Sequence, residues 1–375
     1  MSLTMPLITM IQPSVLSEEQ AYIEEWTNSS RFLYYSVISI GIFTLPAIFL
    51  SFLHIKCQKS AKNVHFLPYL SAISMANFVH LGTILFNVIV ENTVMVYDMI
   101  PGYMICKLTA FSINTFSCFI HWAWVAMYAE RFCHIFFPFR FRRHSACRTR
   151  SILTLTLLFS MCIQLWTPIF ITERRLESQF DNIYCAEDPA YQSHFQLIMV
   201  LETFTTFFLP LMLTILADIS VLTWKSKLSK IEVSQEEIQS KNNEGARKRH
   251  SHLKIVSSDS LRSSQKRRSN AIRRCLISAT VTLLLNLPNY CLQLLDEFCN
   301  IKDSQSIDVR RIYLRIDAFV YILYLIQFLI TPFHIFYLTR IAKGRPQRRN
   351  KQTCGPAPRI GNHPYGLQLL VVHHV

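Results

Sequence analysis

Charge and glycine are the scarce commodities in this chain. Only 17% of its 375 residues are charged, against roughly 25% in soluble proteins. A water-soluble fold of this size would struggle to cover its surface with so few charges. Eight glycines exclude collagen-like and Gly-rich architectures and leave no P-loop. Eleven cysteines are too sparse for a small disulfide scaffold. No metal-spaced His/Cys cluster and no nucleophile elbow stands out, which argues against an enzyme and against a bound metal or cofactor. No internal repeat is visible.

Apolar residues are abundant instead. They make up 51% of the chain, and the mean hydropathy is +0.24. Seven membrane helices of ~23 residues would take ~160 residues, leaving ample chain for loops and tails. Seven apolar runs of that kind occur, at about Phe32–Ile55, Phe66–Val90, Leu108–Ala129, Ser151–Thr172, His194–Trp224, Cys275–Leu295 and Ile316–Thr339. They are apolar on every face, which fits a bilayer better than a soluble amphipathic helix. Pro46, Pro168, Pro210, Pro288 and Pro332 fall inside or near the ends of these runs, as membrane helices tolerate. The reading is an all-α membrane protein, a seven-helix bundle, with 1–31 an outer tail, 32–339 the bundle and 340–375 an inner tail. Met1–Ile11 lacks a basic leader and a small-residue cleavage site, so no cleaved signal is read there.

Orientation follows from Lys and Arg. With the N-terminus outside and the C-terminus cytoplasmic, the inner segments Lys56–His65, Arg131–Arg150, Lys225–Arg274 and Arg340–Val375 hold 3, 6, 14 and 7 of the 38 Lys and Arg. The net charge of +14 is therefore a topology signal with attraction to anionic membrane lipid, and needs no nucleic acid to explain it. Acids collect outside, which suits a cationic ligand; positive-inside sorting alone leaves the same pattern. The long basic segment 225–274 reads as a cytoplasmic loop.

Cys106 and Cys185 both fall outside, where the environment is oxidising and they can pair; two free thiols are the alternative. Cys291 and Cys299 lie close together near the outer end of the sixth run, and whether they pair is open. Asn28-Ser29-Ser30 is a glycosylation sequon set almost against the first span. Three acids interrupt the spans: Glu202, Asp218 and Asp317. Intramembrane acids are functional candidates by default. No Lys or Arg lies beside Glu202 in the outer half of a span, so a ligand cation or water is expected as its partner. His121 reads as a buried, hydrogen-bonded side chain, Asn114 as a pocket candidate, and Trp122 and Trp124 as packing or lipid-facing residues.

At the inner end of the third run stand Glu130, Arg131, Phe132, Ile135 and Pro138. Cys106 precedes Arg131 by 25 residues, about 37 Å of helix and enough to cross the bilayer core. This pattern resembles the Asp/Glu-Arg-Tyr motif of rhodopsin-like (class A) G-protein-coupled receptors, with Phe132 in place of Tyr. Phe207 and Pro210 resemble that family's helix 5 pattern, Asn286-Leu287-Pro288 its helix 6 Trp-x-Pro, Thr331-Pro332 its helix 7 Asn-Pro, and Ser74-Met75-Ala76-Asn77 its helix 2 motif. The resemblance covers about Phe32–Leu338. It implies a multi-pass plasma-membrane receptor that binds an extracellular ligand and activates a heterotrimeric G protein through Glu130, Arg131, Phe132, Ile135 and Pro138. It makes Asn77, Pro210, Asp218, Pro288 and Pro332 switch positions and Ile113 and Asn286 ligand-pocket positions; Glu202 and Asp317, as span acids that could face the outer cavity, and Asn114 join them as pocket candidates from the residues alone.

Departures narrow the reading. Asn77 stands where the family has the carboxylate of its sodium site. Asp218 and Ile335 stand where it has tyrosines. Ile113 stands where aminergic members carry an acid, and Leu325 where opsins carry the retinal lysine. The Asn-x-Pro of helix 6 resembles invertebrate FMRFamide-type receptors, which implies a peptide ligand. A chemosensory receptor for a small molecule and, from another class, a secondary transporter are the alternatives.

Overall fold

The computed structural model describes residues 13–57, 66–91, 101–136, 146–175, 183–187, 192–220, 277–299, 301 and 306–342. The expected loop 225–274, all but the first residues of the tail from 340, and Pro138 lie outside the described residues. Seven long helices account for nearly all of the remainder. They are α1 Pro13–Cys57, α2 Leu67–Glu91, α3 Gly102–Phe136 and α4 Ala146–Ile163, which continues through a 3₁₀ turn to Phe170. Then come α5 at 192–220, α6 at 277–299 and α7 Ile307–Ala342. Among the described residues, six of these are long and apolar enough to cross a membrane; α6 is not counted with them. It carries Asn286, Asn289 and Gln293 within its apolar run, and such side chains lower its hydropathy.

The outer faces carry the apolar surface a bilayer requires. Phe43 on α1 is 74% exposed, and Ile42, Leu50, Leu155, Leu158 and Phe333 are exposed alongside it. A protein in water would not leave so much contiguous apolar surface uncovered. The inner faces build the core. One cluster joins Ile55, Leu70, Ile73, Ala123, Trp124, Met127 and Leu338 toward the Arg131 end. A second joins Val37, Ile48, Leu81, Tyr324, Leu325 and Phe328 across α1, α2 and α7. At Gly41 a Cβ would meet Leu85 Cδ2 at 3.2 Å; glycine lets α1 lie close on α2, as small residues do at membrane helix contacts.

α3 runs Gly102–Phe136 rather than Leu108–Ala129, and α4 starts at Ala146 rather than Ser151; three further differences bear on the fold. α1 starts at Pro13 rather than Phe32, so it runs 45 residues, ~68 Å, about twice a ~30 Å bilayer core. α7 likewise starts at Ile307, nine residues before the apolar run. The two overhangs support each other. Arg315 Nε lies 2.6 Å from Glu25 Oε1, and Arg311 Nε lies 3.7 Å from Glu25 Oε2. Arg311 donates to the Glu18 carbonyl at 3.4 Å, and the Arg310 guanidinium lies 4.9 Å over the Tyr22 ring. The third difference is a β-hairpin. α4 stops at Phe170 rather than Thr172, and β1 Ile171–Arg175 pairs antiparallel with β2 Ile183–Glu187, Glu173 opposite Cys185.

Candidate functional site

The site is best built from α5. Pro210 has no N–H, so the Thr206 carbonyl loses the donor that residue 210 would give it in an α-helix. One turn earlier the helix widens into a π turn, Phe204–Phe208, with the Leu209 N–H reaching back to the Phe204 carbonyl. That takes from Thr205 its ordinary α-helical donor. Two carbonyls thus need partners in a dry interior, and two neighbouring residues of α3 supply them. His121 Nδ1 lies 3.1 Å from the Thr206 carbonyl, and Trp122 Nε1 donates to the Thr205 carbonyl at 3.2 Å.

His121 then reaches α6. A carbonyl only accepts, so Nδ1 carries the ring proton and Nε2 is the acceptor. Asn286 Nδ2 donates to that Nε2 at 3.2 Å. Asn286 and His121 are 1% and 2% exposed. Around this relay, Tyr290 stacks on Phe207 with centroids 4.3 Å apart and shares a hydrogen bond with Ser117 at 3.0 Å. His121 packs edge-on against both rings. α3, α5 and α6 are therefore joined by polar contacts that all converge on the π turn.

Glu202 sits two residues before the π turn, one turn before Thr206, and faces α4. Gln164 Nε2 donates to Glu202 Oε1 at 2.9 Å and approaches Thr206 Oγ1 at 3.2 Å; Thr206 Oγ1 lies 3.4 Å from the same carboxylate oxygen. This corrects the expectation that only a ligand or water could partner Glu202: a glutamine of α4 does so. Thr206 links the two groups, its hydroxyl toward Glu202 and its carbonyl toward His121. Glu202 and Asn286, two expected pocket residues, thus belong to one hydrogen-bonded chain.

The other pocket candidates lie elsewhere. Ile113 packs against the α1–α2–α7 cluster, Asn114 is half-buried on α3, and Asp317 is half-buried near the start of α7. Of the switch positions, Asn77 is buried and donates to the Ile73 carbonyl of its own helix at 2.8 Å. Asp218 Oδ2 accepts from Thr280 of α6 at 3.0 Å. Pro288 and Pro332 lie within α6 and α7. At the foot of α3, Glu130 is buried and Phe132 is exposed. Arg131 and Ile135 lie on the helix, their side chains outside the described residues. Asn28 is exposed within the unbroken α1. At the opposite end, Cys106 Sγ is bonded to Cys185, with Cα atoms 5.4 Å apart, and this holds the hairpin against the head of α3. Cys291 and Cys299 are unpaired.

Three contacts escaped the sequence reading. Tyr324 OH lies 2.8 Å from His80 Nε2 between α7 and α2. Tyr290 closes the α5–α6 contact, and Gln164 holds Glu202. A polar residue inside an apolar run was the available signal for His80 and Gln164; nothing marked Tyr290 or Tyr324 among fifteen tyrosines.

No protein-family model matches the chain. Over 119 residues it is 30% identical to a probable G-protein coupled receptor of Caenorhabditis elegans. That stretch is 32% of this chain and 31% of the relative, so the chain spans about a third of the length of the curated relative it matches. The helices define a multi-pass helical membrane protein, with local similarity to a probable receptor of that class.

Proposed function

We propose that the chain is a rhodopsin-like G-protein-coupled receptor of the plasma membrane. Its N-terminus and the Cys106–Cys185 end face outward. It binds an extracellular neuropeptide at that end and activates a heterotrimeric G protein at the Arg131 end. One observation carries the reading: a single long helix, α3, bears the bridged Cys106 at its head, the α5–α6 relay through His121 at its middle and Glu130-Arg131 at its foot. One helix thus connects a covered end to an end where a second protein can dock. The local similarity to a probable receptor supports the same reading.

Ligand work would then be the biasing of a two-state bundle, by binding one arrangement of α3, α5 and α6 better than the other. The polar α3–α5–α6 relay suits such a switch, because hydrogen bonds between helices can be exchanged without emptying a packed core. Glu202, close to the relay, is the proposed reader of a cationic peptide group. Ile113 offers no carboxylate for an amine, which favours a peptide over an amine transmitter. The test is second-messenger output in cells carrying the chain and challenged with a panel of amidated peptides. An output absent from mock cells supports the receptor. Accumulation of a solute with no output at any peptide would favour the transporter.

A further inference from the structure

We infer that the mouth-facing side of the α1 overhang, formed by Glu19, Ile23 and Trp26, is a docking surface for a cationic, apolar stretch of the extracellular peptide; this deepens the receptor reading and rests on it. An α-helix repeats every 3.6 residues, so Glu19, Ile23, Trp26 and Ser30 fall on one line with Val37 and Gly41 further down α1. That line is the side of α1 that packs on α2. A Cβ at Gly41 would meet Leu85 of α2, and Val37 is buried. The two helices run antiparallel, and α2 ends at Glu91, which is level with about residue 35 of α1. Above that level α2 no longer covers the line. Ile23 and Trp26 are 57% and 53% exposed there, and Glu19 is exposed beside them.

The bilayer does not claim these side chains. The lipid-facing residues of α1, Tyr35, Ile42, Leu50 and Leu53, are exposed on the opposite side of the helix. Trp26 also stands ~9 Å along the helix above Phe32, where the apolar run begins. α7 is engaged on a neighbouring side, through Glu25 and Tyr22. The space in front of Ile23 and Trp26 is therefore the outer mouth. Its chemistry selects the occupant. An indole face attracts a cation more strongly than any other side-chain ring. Ile23 offers apolar area one turn along, and Glu19 adds negative charge one turn beyond. Residues 18–31 carry four Glu and one Arg, a field that favours a cation. A peptide stretch with arginine or lysine beside an apolar side chain matches this surface. The ion pairs to α7 hold the overhang in place, which lowers the ordering cost of docking.

The experiment measures binding of the amidated peptide panel to intact cells carrying the full chain at matched surface expression, beside second-messenger output. For an arginine-containing peptide, Trp26→Ala should weaken binding about tenfold. Trp26→Phe, which keeps an aromatic face, should weaken it less. Glu24→Gln, on the far side of the same helix, should leave it level. Output at saturating peptide should stay native for all three, since none of these residues touches the α3–α5–α6 relay. Native affinity for Trp26→Ala in cells that respond to the peptide overturns the docking surface and leaves the receptor standing. An equal loss for Trp26→Ala and Glu24→Gln also overturns it. A panel that gives neither binding nor output overturns both. Ile23→Cys on the same cells should react with a membrane-impermeant maleimide above the native background, and bound peptide should slow that reaction. No reaction without peptide would mean that another part of the chain covers the surface, which again overturns the proposal.

Discussion

Asn286 on α6 donates its side-chain amide to His121 on α3 at 3.2 Å, and through that ring the contact passes to the Thr206 carbonyl of α5. His121→Phe keeps the edge contacts with Phe207 and Tyr290 but removes both nitrogens. The Thr206 carbonyl and the Asn286 amide are then left unpaired in a dry core, at ~1–3 kcal/mol each. Thermal unfolding of the purified variant should show a clear drop in Tm. Partial recovery of Tm by Asn286→Leu in the same chain would show that the amide was one of the two stranded groups, the Thr206 carbonyl remaining unpaired. An unchanged Tm for His121→Phe would mean that the relay contributes nothing to holding α3 and α6 together.

The overhangs of α1 and α7 are tied by Glu25 to Arg315 and Arg311. Hydrogen exchange should therefore find the backbone amides of residues 18–30 protected. Glu25→Ala should speed their exchange, as should high salt, which screens exposed ion pairs. Exchange as fast as an unstructured tail in the native chain would remove the overhang from the fold.

Peptide mapping without reduction should recover Cys106 linked to Cys185, with Cys291 and Cys299 alkylated as free thiols. Replacing either bridged cysteine by serine releases the hairpin from α3 and should reduce thermal stability by ~2–4 kcal/mol. A folded native chain with both thiols free would contradict the bridge.

How far the sequence carries can be judged residue by residue. Long apolar runs report where helices lie, because a bilayer demands them, and the bodies of all seven helices fall on those runs. The first eighteen or so residues of α1 do not show this signal. They are polar and acidic, and their helix rests on ion pairs to α7 that lie 290 residues away in the chain. The hairpin was likewise hidden, since its strands are five residues long and are held by each other and by Cys106. Pro210 was read as a motif residue. Its physical consequence, the freed Thr206 carbonyl met by His121, depends on how α3 is rotated against α5. Hydropathy carries no information on that rotation, and the same is true of the Tyr324–His80 and Gln164–Glu202 pairs.

Glu202 is held by Gln164 and lies near the relay. If it reads a cationic peptide, Glu202→Gln should weaken an arginine-containing agonist by roughly ten- to hundredfold, the value of one charged hydrogen bond. The citrulline analogue of the same peptide should lose much less. Equal losses for both peptides would assign Glu202 to packing between α4 and α5.

The central claim is that the Arg131 end of the bundle drives a G protein. The most direct measurement is nucleotide exchange on a purified heterotrimeric G protein, catalysed by membranes carrying either the native chain or Arg131→Ala at matched surface expression. The expected result is that native membranes, with an agonist from the peptide panel, accelerate exchange, while the variant binds that agonist with similar affinity and accelerates exchange far less. Equal acceleration by the two chains, or none by native membranes that bind the agonist, would contradict the claim.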